Sequence, residues 1–279
     1  MDGIIRQTIE TFFDRRVQSH LAELEQSPHL LPKLYVELEE LGLFSLHPSE
    51  DIRTICDVLR TVSAVDSGIA TAILAHYVGK TLLQSNEPAN LRLSSPIYRR
   101  FEELTPEFYD SKFPKAPLVS GWTNAIVLPV WRKDFVNVLE LPVESSTMLD
   151  TIGSRTAPIS QIKLNPESSS LEVGRIDIPT FMNFNARFQV AAASLAFGMM
   201  QGSLAAASKY CSERKQGGKR IIEWSQVKYD LSQLQIELCS IEAMMQYANS
   251  NLEWNRTPHL LIALSIKILD QLVPLVTNA

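Results

Sequence analysis

Apolar residues recur every three or four positions at the start of the chain, fall into short branched runs from about Ala116, and return to helical spacing after Pro179. Ile4, Ile5, Ile9, Phe12, Phe13 and Val17 make a stripe that Leu21 and Leu24 extend to Ser27-Pro28, a cap followed by proline in the first turn of the next helix. Leu34, Leu38 and Leu41 line that second helix and Gly42 stops it. Glu37, Glu39 and Glu40 in its second half read as a solvated face. Ser49-Glu50-Asp51 opens a third helix reaching about Thr61, and Asp66-Ser67-Gly68 a fourth reaching about Gln84. Ile69, Ala72, Ile73, Ala75, His76 and Leu83 make the fourth apolar on most sides, the pattern of a helix buried between others. His76 there reads as a core histidine rather than a catalytic one.

Leu118-Val119, Ile126 to Leu128, Phe135 to Leu139, Ile159 to Leu164 and Leu171 to Ile178 are rich in branched residues and separated by Pro117, Pro129, Pro142, Pro158 and Pro166, which predicts a small antiparallel sheet. Two long helices follow, joined by the basic elbow Glu213-Arg214-Lys215-Gln216-Gly217-Gly218-Lys219. Small residues from Ala191 through Gly198 and Gly202 to Ala207 let neighbouring backbones approach the first. Leu231, Leu234, Leu238, Ile241 and Met245 stripe the second. The expected architecture is α+β and mostly α: an N-terminal helical domain over 1–106, a small β domain over 107–180 and a C-terminal helical domain over 181–279.

The 279 residues, 45% apolar and 20% charged, suffice for a sizeable interior, and a net charge of -5 offers no general basic field for nucleic acid. Cys56, Cys211 and Cys239 are odd in number, widely spaced and without a metal-ligand pattern, so they read as buried free thiols of a reducing compartment. The N-terminus carries Asp2 and Glu10 among its apolar residues, unlike a signal peptide. The most apolar segment, Leu260 to Val276, is interrupted by Lys267 and Asp270, so no membrane span is expected and the cytoplasm is the expected location.

The order helices, strands, helices, together with Ala186-Arg187-Phe188 and the Glu213-Arg214-x-x-Gly217-Gly218 elbow, resembles the acyl-CoA dehydrogenase family over nearly the whole chain. The resemblance implies FAD held between the strand domain and the C-terminal helices, hydride transfer from the β-carbon of an acyl-CoA, and a carboxylate that removes the α-proton. It places Trp122 and Thr123 on the strand beside the flavin, Arg214 on the FAD pyrophosphate of a neighbouring subunit, and Arg187 towards the substrate. A forked, permanently charged guanidinium suits the pyrophosphate task. Read without the resemblance, Trp122-Thr123 packs in a sheet, Arg214 is a helix-end cation on the macrodipole, and Arg187 closes an internal ion pair, the reading favoured for it.

Several residues depart from the family pattern. The chain has SKFPKAPLVSG where the family's Thr-Glu-Pro-x-x-Gly-Ser-Asp loop belongs, Gly217 at the elbow's aromatic position, and Ser225 at its glutamine position, with Gln226 one residue out of register. Ala263-Leu-Ser-Ile-Lys267 to Ala279 is similar to the helix before the family's last turn, beyond which the usual catalytic glutamate lies. The alternative position for a base, just before Arg187, is Ala186, and a methyl group accepts no proton. No catalytic and no metal-ligating residue is therefore expected. The reading is a shortened, divergent acyl-CoA dehydrogenase-like subunit, binding FAD weakly or not at all alone and acting as a structural or regulatory partner. Its partner is another copy or a full-length acyl-CoA dehydrogenase-like subunit, and the apolar helix from Leu260 to Leu272 is the expected interface. Two alternatives stay open: an FAD-dependent dehydrogenase with a rebuilt site, for which Glu213, Glu223 and Asp230 are the nearby carboxylates, and a non-catalytic module that binds an acyl-thioester.

Overall fold

Ile9, Phe13 and Val17, each four residues after the last, all point into the core. Repeats of four drift around an α-helix of about 3.6 residues per turn, and the chain corrects the drift locally. Helix α1 (Gly3–Phe12) gives way to a π-helical turn (Phe13–Val17) in which Gln18 N–H donates to the Phe13 carbonyl, an i→i+5 bond that widens the turn. The single helix expected from Ile4 to Leu24 is therefore divided, continuing through a 3₁₀ turn (Gln18–His20) into α2 (Leu21–Gln26). The computed structural model describes residues 3–46, 52–83, 93–96, 104–105, 118–120, 123, 125–142, 146–149, 156–162 and 171–250.

Helix α3 (Leu31–Glu40) buries Leu31, Leu34, Tyr35 and Leu38. It ends as its sequence predicts. Gly42 takes φ +83°, Gly42 N–H donates to Glu39 O at 2.9 Å and Leu43 N–H to Leu38 O at 3.1 Å, the paired bonds of a Schellman cap, with Leu38 and Leu43 both buried beside it. The three glutamates are not equivalent, however. Glu37 is half-buried and pairs with Arg16 across the helix pair, its Oε2 receiving Arg16 Nε at 2.9 Å; Glu39 is half-buried; only Glu40 is exposed.

Helix α4 (Ile52–Ser63) turns Ile55, Val58, Leu59 and Val62 inward, and α5 (Ser67–Leu83) is buried almost all round. Asp66 caps α5 through Ile69 N–H at 2.8 Å, and the same Oδ1 receives the Thr156 hydroxyl at 2.8 Å. The Thr156 carbonyl accepts from the buried Tyr35 hydroxyl at 3.1 Å, so one residue of the strand region fixes two helices.

Among the described residues the strands form two sheets and a ribbon. The larger sheet has the order β1 (Leu93–Ser94), β3 (Ala125–Trp131), β4 (Phe135–Pro142), β7 (Leu171–Asp177); the smaller runs β2 (Leu118–Ser120), β6 (Ile159–Ile162), β5 (Ser146–Met148). The expected antiparallel pairing holds throughout both, except that β1 runs parallel to β3 in the register Leu93↔Ala125. Strand β3 is buried at six successive positions from Ala125 to Val130, the run of a strand covered on both faces. Strands β1 and β5, two and three residues long, were not legible in the sequence.

The chain then enters α6 (Ile178–Glu213), 36 residues long, capped by the Asp177 side chain on Thr180 N–H with Pro179 in its first turn. Its first half packs against α4, α5 and the large sheet. Gly198 and Gly202 lie on α4: a β-carbon at Gly198 would stand 2.3 Å from Arg60 O, and at Gly202 2.0 Å from Ala64 O. By length and composition α6 could cross a membrane, but here its apolar first half is covered by the helices and strands around it. Helix α7 (Ser225–Ser250) returns along it, and Ala193, Phe197, Met200, Leu238, Ile241 and Met245 make a small second core between the two. Beyond that core the two helices form a largely exposed arm. The apolar segment from Leu260 to Leu272 lies outside the described residues. Among the cysteines, all free, Cys56 is buried as expected, but Cys211 is half-buried and Cys239 exposed.

Candidate functional site

Arg187 lies inside α6 and Arg214 caps its C-terminal end. Arg187 is half-buried in its third turn, among Ala186, Phe188 and Gln189, whereas Arg214 is the exposed residue that ends it. At about 1.5 Å of rise per residue they stand roughly 40 Å apart. Thr123 is half-buried just before β3, and its hydroxyl donates to the Ala125 carbonyl at 2.6 Å, within its own strand. Trp122 and residues 106–117, which hold most of the segment in place of the family's flavin loop, lie outside the described residues.

The elbow is a two-residue hairpin. Lys215–Gln216 pairs with Lys219–Arg220, and Gly217 and Gly218 between them take φ +60° and +83°, the two positive values of a type I′ turn. Arg214 N–H donates to Tyr210 O and its carbonyl accepts from Ile221 N–H, both at 2.9 Å, so the backbone at Arg214 is fixed from both sides. The Trp224 ring folds back over the turn: its nearest carbon is 3.2 Å from where a β-carbon on Gly217 would stand, and Lys219 Nζ lies 3.9 Å from the ring centroid. A stacked cation and ring thus cover the position at which the resembled motif carries its aromatic. Gln226 is committed within its own helix, donating to Asp230 at 2.7 Å, while Glu213, Glu223 and Asp230 are all exposed.

Ala186 is fully buried in the main core, at 0% exposure. The methyl group expected there from the sequence is thus packed among apolar side chains. His76 is 2% exposed; its Nδ1 accepts Leu93 N–H at 3.0 Å and its ring meets Phe44 edge-on at 5.3 Å. An accepting Nδ1 assigns the neutral ring's proton to Nε2, and the residue joins α5 to β1 as a core histidine. No group of histidine, cysteine and carboxylate side chains that could hold a metal occurs among the described residues.

Arg60 plays a part that sequence reasoning missed. From α4 it donates Nε to Gln201 Oε1 at 2.7 Å and Nη2 to Glu242 Oε1 at 2.6 Å, with its Cζ 4.6 Å from the Phe197 ring centroid. One guanidinium therefore links α4, α6 and α7. Nothing in an arginine that follows a buried leucine announces partners some 140 and 180 residues away.

Helices on a sheet, followed by a long helical hairpin, define the acyl-CoA dehydrogenase fold. The solved structure of glutaryl-CoA dehydrogenase from Mycobacterium smegmatis superposes with a TM-score of 0.68 at 15% identity, covering 98% of this chain and 84% of the other. Butyryl-CoA dehydrogenase from Megasphaera elsdenii gives 0.69 at 12% over 98% and 86%, and the prolyl acyl carrier protein oxidase AnaB 0.68 at 14% over 96% and 83%. No curated protein matches by sequence. Residues 180–269 match the acyl-CoA dehydrogenase C-terminal domain, and the chain as described has the fold of the acyl-CoA dehydrogenases.

The residues that the resemblance assigns to FAD do not fit a cofactor gripped by one chain alone. Arg214 is held on an exposed hairpin at the far end of α6, Trp224 and Lys219 cover Gly217, and the Thr123 hydroxyl proton is given to its own strand.

Proposed function

We propose that this chain is an acyl-CoA dehydrogenase-like subunit with no base at position 186 and no complete FAD site of its own, serving as a structural or regulatory partner within an oligomer. The observation that carries the reading is Ala186: at the one described position where the family offers a base, the chain has a methyl group sealed in the core. General base catalysis requires a titratable atom within hydrogen-bond reach of the proton it removes. The separation of Arg187 from Arg214 supports the same reading, because what one end of α6 contacts lies beyond reach of the other. Soluble, cytoplasmic residence is part of the proposal.

The test is a visible absorption spectrum of the purified chain, followed by titration with acyl-CoAs of different lengths in the presence of an electron-accepting dye. A colourless protein that reduces no dye is expected. A yellow preparation with stoichiometric FAD that an acyl-CoA bleaches would overturn the reading and favour a dehydrogenase with a rebuilt site. Acyl-CoA binding to the colourless protein, measured by calorimetry, would instead favour a thioester-binding module.

A further inference from the structure

The N-terminal helices enclose a cleft to which α6 contributes no residue. It has a volume of about 270 Å³ and takes its walls from the π-helical turn, α2 and α3. Leu24, Leu30 and Leu34 line it with hydrocarbon, the first and last of them buried and Leu30 half-buried. Arg16 and Glu37 also stand in its wall, bonded to each other through Arg16 Nε and Nη2 and both Glu37 oxygens. Arg16 belongs to the π-helical turn, a departure from α geometry that recurs at functional sites.

Two further charges line the same cleft, Glu23 from α2 and Lys33 from α3. Arg6, Arg16, Arg60 and Arg175 each meet a glutamate, but the side chains of Glu23 and Lys33 have no hydrogen bond or salt bridge among the described residues, even with each other. Glu37 cannot replace Glu23, because both its oxygens are occupied. His20 Nδ1 is engaged by the Ser19 hydroxyl at 2.9 Å, so only Nε2 of that ring remains for a ligand. The cleft thus offers one open carboxylate and one open ammonium over a floor of leucine.

We propose that this cleft binds a free α-amino acid with an aliphatic side chain. The ligand's ammonium meets Glu23, its carboxylate meets Lys33, and its hydrocarbon lies on the three leucines. A simple anion would leave Glu23 unanswered, an amine would leave Lys33, and a plain hydrocarbon would leave both. A zwitterion satisfies the two at once, with hydrogen bonds strengthened by charge on either side. The volume falls just below the range of about 300–1,000 Å³ typical of drug-sized ligands, which limits the occupant to a small molecule. The site is independent of Ala186, Arg187 and Arg214, and so of whether the chain oxidises an acyl-CoA.

The test is isothermal titration calorimetry of the full chain with leucine, with isocaproate, which lacks the ammonium, with isoamylamine, which lacks the carboxylate, and with glycine, which lacks the hydrocarbon. Leucine should bind saturably at one site per chain. Each of the other three should bind about tenfold or more weaker. Glu23→Gln should bind leucine no better than isocaproate, and Lys33→Gln no better than isoamylamine. Both positions are exposed, and unchanged circular dichroism checks that the variants fold. No heat from leucine at millimolar concentration overturns the proposal, as does equal binding of leucine and either singly charged analogue. Leucine binding that both variants leave unchanged lies elsewhere on the molecule and overturns this site.

Discussion

The Arg60 guanidinium donates to Glu242 at 2.6 Å while lying against the Phe197 ring, and so joins the N-terminal helices to the end of the described chain. About a third of each charged side chain remains exposed, which discounts the ion pair to about 0–1 kcal/mol. The hydrogen bond to Gln201 and the ring contact add to it. Arg60→Ala is expected to cost about 1–3 kcal/mol in urea denaturation, and Arg60→Lys to recover only part, because an ammonium cannot serve both acceptors in a fixed fork. Full recovery by lysine would show that the fork contributes nothing.

Gly198 and Gly202 bring α6 against the backbone of α4 and of the turn that follows it. Gly202→Ala places a methyl group 2.0 Å from Ala64 O, and backbone at a helix crossing cannot step aside. Alanine's helix propensity would favour the change by about 1 kcal/mol, but overpacking of this kind costs about 1–3 kcal/mol and sometimes more. A lowered melting temperature is expected; an unchanged or raised one would mean the helices separate freely.

The Glu37 carboxyl is held below its ordinary value of 4.5, first by the hydrogen bond from Arg16, which burial partly opposes, and then by the lesser attractions of the Arg16 and Lys33 charges. A depressed folded value means that the contribution is fully present above the unfolded carboxyl's pKa and is lost as pH falls through the folded one. The wild type should therefore exceed Glu37→Gln by about 1 kcal/mol or less at neutral pH, since about half of the Arg16 side chain stays in solvent. Thermal melts in progressively acidic buffer should show the difference closing below about pH 4.5. A gap that persists at the lowest pH would rule this pair out as its source.

Restoring a carboxylate at Ala186 tests the proposed loss of chemistry directly. A glutamate there enters a fully buried site, where an unpaired charge costs several kcal/mol even after relaxation. Ala186→Glu is expected to melt earlier and to remain inactive towards acyl-CoAs. A stable variant that turns over substrate with added FAD would show a site waiting only for its base.

Much of this architecture was written in local signals. Gly42 announced the end of α3, Asp66 the start of α5 and the paired glycines at 217 and 218 the elbow, because each requirement is met by the residue itself. What stayed hidden depends on distant partners. Strand β1 is too short to show a period and exists because Leu93 N–H meets His76 and its backbone meets β3; the division of the first helix follows from where its neighbours put the core. For the candidate site, the sequence names Thr123, Arg187 and Arg214 and already puts the two arginines near opposite ends of one long helix. It could not show Trp224 lying over Gly217, since the signal at 217 was only a missing ring.

The length of α6 sets a stoichiometric condition on whatever this protein does. A molecule of nucleotide size that needs both arginines would have to be shared between chains, because no single copy brings the two within its span.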